Sequence, residues 1–127
     1  MKNIIKLSRN DRIVLFTQTA DIKGMNPSII EKDFWVCFML DHLFNDNKYK
    51  NLFVFKGGTS LSKSFHVIER FSEDIDLILD WRKILVDNSN PWDDRSKTKQ
   101  DIYNKQLNKQ AANFYINKLI PTLNEEL

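Results

Sequence analysis

Two acids one residue apart, Asp74 and Asp76, stand at the head of the apolar run DIDLIL. In an extended strand, residues i and i+2 point to the same face. The two carboxylates therefore project together, while Ile75 and Leu77 point the other way. Neighbouring carboxylates repel, and burial sharpens the repulsion. A divalent cation relieves it. Mg²⁺ or Mn²⁺ accepts oxygen ligands, and Mg²⁺ is commonly held by one or two carboxylates together with substrate phosphates. Asp74 and Asp76 are thus the candidate metal ligands and the candidate catalytic pair.

The complementary chemistry lies upstream, in FKGGTSLSKSF. Gly57 and Gly58 follow a β-rich stretch and precede a helix-compatible one, with 15 residues between Gly58 and Asp74. A turn without Cβ atoms lets a ligand approach the backbone. The N–H groups at the start of the following helix make an anion site. Thr59 and Ser60 add hydroxyl donors, and Lys56, Lys63 and Arg70 add cations for a polyphosphate. The stretch is not a P-loop, because G-x-x-x-x-G-K-[ST] fails at its second glycine. A phosphate cradle and an acid pair at neighbouring strand ends suit nucleotidyl transfer, in which metals position a triphosphate and stabilise its charge. Taken singly, the pieces have plainer readings. Gly-Gly occurs in many turns, Asp-x-Asp marks strand edges, and Lys63 and Arg70 fit a solvated helix face.

Several elements must position these residues. RNDRIVLFTQTADI (9–22) reads as an amphipathic helix, capped by Ser8 or Asn10 and ended by Gly24. NPSIIEKDFWVCFMLDHLF (26–44) reads as a second helix. Asn26 is its cap and Pro27 its first residue, with Ser28 and Glu31 as a competing capping box. NDNKYKN (45–51) is a polar turn. LFVFK (52–56) and DIDLILDW (74–81) have strand composition, and SLSKSFHVIERF (60–71) fits a helix between them. RKILVDNSNPWDD (82–94) is irregular, with turn chemistry at 88–91. A long polar helix follows from Ser96 to about Leu119, and Pro121 bends or ends it. Its lysines and glutamines read first as a solvated face and second as an RNA or antitoxin surface. Trp81 and Trp92 flank the open loop, where they pack or stack on a base.

Composition bounds the class. The chain has 127 residues, 42% hydrophobic and 28% charged, with a net charge of +2. That suits one domain or part of one, and gives no charge argument for nucleic acid. A single cysteine, Cys37, excludes an internal disulfide and agrees with a reducing cytosol. No segment approaches the roughly 20 apolar residues of a membrane span, and the first residues lack a signal-peptide core. The order of elements gives an α/β (α+β) chain.

FKGGTSLSKSF followed by ERFSEDIDL resembles the nucleotidyltransferase superfamily of DNA polymerase β. Within it, the chain is similar to the AbiEii/AbiGii toxin family. IEKDFWVCFML (30–40) strengthens the likeness, which spans residues 26–80. The resemblance implies a polymerase β-like core, a mixed sheet flanked by helices, incomplete in this chain. It implies a cytoplasmic toxin of a type IV toxin–antitoxin or abortive-infection system, transferring NMP from an NTP to an acceptor such as tRNA. It also implies a cognate antitoxin as partner, and no membrane. Residue by residue, Gly57, Gly58 and Thr59 or Ser60 would hold the triphosphate, and Asp74 and Asp76 the metal ions. Glu31, Lys32 and Asp33 match a family motif of unassigned role, or form a capping and salt-bridge face.

The superfamily also uses a third carboxylate from a later strand. No strand bearing an acid follows residue 81, and Asp80, Asp87, Asp93, Asp94, Glu125 and Glu126 are poorly placed to replace it. The chain therefore reads as the N-terminal portion of a nucleotidyltransferase domain. Its parts are a helical lead over 1–46, a β-GG-α-β core over 52–80, and a loop and long helix over 82–127. The alternative is a truncated, inactive module that binds nucleotide, RNA or antitoxin.

Overall fold

A computed structural model describes residues 1–58, 74–85 and 89–127. The chain divides into two compact units, Met1–Asp46 with Phe55–Leu77, and Asn47–Val54 with Ile78–Leu127. The expected helix over 60–71 lies outside the described residues.

The first unit begins with a short helix, α1 (Lys2–Ile5), followed by α2 (Arg9–Lys23). The last carbonyls of α1 have no partner within the helix. Arg12 supplies one, donating from Nη1 to the carbonyls of Ile5 (3.0 Å) and Leu7 (2.8 Å). Ser8 caps α2, as its position before the apolar pattern predicts. Its Oγ accepts from the Asp11 N–H at 3.1 Å and donates to the Asp11 carboxylate at 2.7 Å. Gly24 ends α2 in the left-handed conformation (φ 62°) that favours glycine. Ser8→Ala is expected to destabilise the chain by about 1 kcal/mol, the usual cost of a lost cap. Urea unfolding measures this, and an unchanged midpoint would show that the cap is not used in solution.

Helix α3 (Pro27–Asp41) starts as expected, with Asn26 as cap and proline at its first position. The competing box at Ser28 and Glu31 loses to Asn26. The Asn26 Oδ1 accepts from both the Ser28 N–H and the Ser28 hydroxyl, at 2.9 Å each. Helices α2 and α3 pack on one another through Phe16, which is buried and sits 5.4 Å from the Phe34 ring. Phe34, Trp35 and Phe38 then form a cluster with centroids 5.2–6.4 Å apart, two pairs edge-on and Phe34–Phe38 stacked. Offset and edge-on rings of this kind add about 0.5–1.5 kcal/mol per pair beyond burial. The helix runs on into a wider π-helical turn, His42–Asp46, where His42 and Leu43 are buried. Asp46 closes back on the N-terminus through Lys2 at 2.8 Å.

Strands β1 (Phe53–Lys56) and β2 (Asp76–Leu79) form a two-stranded antiparallel sheet. They pass from one unit to the other, with 55–56 and 76–77 in the first and 53–54 and 78–79 in the second. The Asp80 N–H donates to the Leu52 carbonyl at 2.7 Å. In antiparallel pairing that register sets Lys56 opposite Asp76. Exposure alternates along β2 and the residues before it. Asp74, Asp76 and Ile78 are exposed, and Ile75, Leu77 and Leu79 are half-buried. Strand geometry begins at Asp76 rather than at Asp74, as the full-length strand reading had it, but the two-residue alternation extends back to Asp74.

In the second unit the core gathers around Phe114. Its ring meets Tyr49 at 5.1 Å and Phe53 at 6.5 Å, and Phe53, Tyr103 and Leu119 are also buried. The long helix appears as α4 (Lys97–Phe114), capped by Ser96, whose Oγ accepts from the Lys99 N–H at 3.4 Å. It continues through a π-helical turn, Tyr115–Leu119, into α5 (Ile120–Glu126), which carries Pro121 in its first turn. Proline lacks an N–H and crowds the carbonyl of the preceding turn. The widened turn ahead of it absorbs both defects without ending the helix. Fully buried Asn47 ties the end of this helix down, donating from Nδ2 to the Glu126 carboxylate at 2.8 Å. The irregular loop contains a braced turn. The Asn90 N–H donates to Asp93 Oδ2 at 3.0 Å, and Arg95 donates to the Asn90 carbonyl at 2.6 Å. Among the described residues no helix is long and apolar enough to cross a membrane.

Candidate active site

The acid pair, Lys56 and the two glycines all belong to the first unit. The β1 strand ends at Lys56 and is followed by Gly57 and Gly58; the helix expected after them lies outside the described residues. Gly57 has φ 80°, a backbone conformation that residues with a Cβ rarely adopt. It is also where the Asp76 side chain lies. A Cβ built on Gly57 would overlap the Asp76 carboxylate and come within 2.8 Å of its carboxyl carbon. The glycine is thus needed twice, once for its torsion and once for the space that Asp76 fills.

Asp74 and Asp76 are both exposed. Among the described residues, no lysine or arginine forms an ion pair with the Asp76 carboxylate, and Lys56 faces it across the sheet without closing one. The Asp76 carboxylate lies beside a turn bare of side chains, and carboxylate oxygens such as those of Asp74 and Asp76 are hard donors. That donor set fits Mg²⁺ or Mn²⁺, with water and ligand phosphates completing the shell. Among the described residues there is no group of three His, Cys, Asp or Glu side chains able to hold a metal by themselves.

Several acids considered as a third ligand are otherwise engaged. Asp80 accepts from Arg82 Nε at 2.8 Å and has Lys83 at 3.8 Å. The Arg82 hydrogen bond holds the Asp80 carboxyl below the usual carboxylate range, against the opposing pull of desolvation. Asp93 pairs with Arg95 at 3.1 Å, and Glu126 holds Asn47. A depressed carboxylate contributes stability that is full above its ordinary pKa and is lost as the pH falls through the lowered value. Asp80→Asn should therefore remove a contribution present at neutral pH and flatten the acid limb of the stability curve. Thermal melts between neutral and acid pH test this, and an unchanged acid limb would refute it.

Thr59, Ser60, Lys63 and Arg70, the remaining candidate phosphate ligands, lie outside the described residues, as does Asp87. Glu31, Lys32 and Asp33 sit on α3, with Glu31 and Lys32 exposed and Asp33 half-buried. What sequence reasoning missed is the contact between Gly57 and Asp76. The two were assigned separately, to phosphate and to metal, and only the antiparallel register brings them together.

The described residues thus set the Asp76 carboxylate against Gly57 at the end of β1, with Asp74 two positions before it in the sequence. Residues 39–124 match the family of the nucleotidyl transferase AbiEii toxin of type IV toxin–antitoxin systems, and the chain belongs to that family. The match starts beyond Glu31–Asp33 and takes in the loop and long helix, which the motif-based likeness over 26–80 had left aside. No curated protein and no solved structure is similar enough to match the chain.

Proposed function

We propose that this toxin-family chain is a metal-dependent nucleotidyltransferase, moving NMP from an NTP to an RNA acceptor such as tRNA in the cytoplasm. On this reading the Gly57–Gly58 turn and the acid pair belong to a polymerase β-like core. The observation that carries the proposal is the seating of the Asp76 carboxylate against Gly57, with Asp74 on the same open face. Asp74 and Asp76 would hold Mg²⁺ or Mn²⁺, which when bound supplies charge neutralisation and alignment of the triphosphate. Gly57 and Gly58, with Thr59 and Ser60, present backbone and hydroxyl donors to phosphate oxygens. Lys56, Lys63 and Arg70 supply positive charge. The cognate antitoxin that a type IV system implies restrains the activity in the cell.

Incubation with each labelled NTP, Mg²⁺ and total tRNA tests the reading. Label carried into tRNA with one NTP preferred is the expected result. No incorporation into any RNA would overturn it. A second reading, a module that binds nucleotide, RNA or antitoxin without transfer, draws on the missing three-carboxylate cluster among the described residues. That reading predicts NTP binding with no label transferred.

A further inference from the structure

We infer that a cleft in the second unit binds a nucleoside monophosphate, and does so without metal. The cleft has a volume of about 600 Å³, within the roughly 300–1,000 Å³ that suits small ligands. Tyr49, Leu52, Ile84 and Phe114 give it an apolar and partly aromatic lining. One wall is a single face of the long helix. Gln110, Asn113 and Asn117 stand there at the i, i+3, i+7 spacing that stacks side chains on one side. Each amide offers both a donor and an acceptor, the pairing that reads the edge of a nucleobase. Two ammonium groups, Lys83 and Lys118, complete the lining. Lys83 donates to the Asn51 carbonyl and lies 3.8 Å from the Asp80 carboxylate, and Lys118 is exposed.

Two further observations mark the place. The Gln110 Oε1 is buried and has no hydrogen-bond partner among the described residues. A buried acceptor left unpaired costs about 1–3 kcal/mol. That oxygen is closed to solvent where it stands, so the side chain would first have to turn into the cleft before an amino group of a bound base could satisfy it. The helix also widens into its π-helical turn over Tyr115–Leu119, the segment that carries Asn117 and Lys118, and such turns recur at functional sites. Inorganic phosphate would use only the lysines. The aromatic lining and the three amides call for a flat ring with N–H groups attached to that anion. The inference stands apart from the transferase reading, because none of the acid pair or glycine residues lines the cleft.

The test is a chemical-shift titration of the full chain with each nucleoside 5′-monophosphate in EDTA, with inorganic phosphate and free nucleosides as separate probes. Saturable binding of at least one monophosphate is expected, at least five-fold tighter than phosphate or the nucleoside alone. Asn117→Leu/Lys118→Glu should weaken it at least five-fold. Both residues are exposed, and Asn113→Leu, also exposed, provides a second variant should the first unfold. The inference is overturned by no saturable binding, by equal binding of phosphate, by equal affinity in the folded variants, or by binding that appears only when Mg²⁺ is restored. Loss of nucleotide transfer with monophosphate binding intact would refute the transferase reading and leave this one standing.

Discussion

Gly57→Ala is expected to destabilise the chain by about 2–4 kcal/mol, combining left-handed strain with overpacking. The strain arises because φ is 80° at this position. The overpacking arises because the new methyl group would lie on the Asp76 carboxylate. Gly24→Ala separates the two effects. Gly24 has φ 62°, and nothing lies within 4 Å of a Cβ built there, so only the torsional cost of about 1–2 kcal/mol should appear. Removing the obstructing side chain in Gly57→Ala/Asp76→Gly should recover part of the loss. Positive coupling in that double-mutant cycle is the sign that Gly57 and Asp76 touch. Equal costs at Gly24 and Gly57, with additive behaviour in the cycle, would show that the Asp76 side chain does not rest on the turn.

Neutralising the acids should have the largest functional effect. Asp74→Asn/Asp76→Asn keeps the size of both side chains and removes both charges. Nucleotide transfer should fall by about 100-fold or more, on the order of 3 kcal/mol of transition-state stabilisation. Growth arrest on expression should disappear with it. Because both residues are exposed, stability should change little, within about 0.5 kcal/mol for most surface positions. Urea unfolding therefore distinguishes a chemical defect from a folding defect. A double variant as toxic as the original would end the catalytic reading of this pair.

The helix boundaries were legible because their chemistry is local. Ser8, Gly24, Asn26 with Pro27, and Ser96 each act on residues within a few positions, and each sits where the structure places a helix end. The two π-helical turns were not legible. Nothing in HLFND separates an i→i+5 turn from an ordinary one, and at 115–119 only Pro121 hinted that the ladder would have to give. The beginning of β2 was placed two residues early, since Asp74 keeps the alternation of exposure without joining the sheet. For the candidate site, residue types were readable and their contact was not. Asp-x-Asp announces two carboxylates on one face, but the seating of one of them on Gly57 depends on strand register. Asp80 shows the same limit. The sequence placed it too far along the strand to be the third ligand, and the structure adds a reason that spacing could not show, the Arg82 guanidinium that occupies it.

The central claim is that Asp74 and Asp76 hold a metal–nucleotide complex. Calorimetric titration of the four nucleoside triphosphates, with and without Mg²⁺, into the original chain and Asp74→Asn/Asp76→Asn tests it most directly. The claim predicts binding of at least one triphosphate that requires Mg²⁺ and weakens at least ten-fold in the double variant. Triphosphate binding that is equally strong without Mg²⁺, or undiminished when both acids are neutralised, would contradict it.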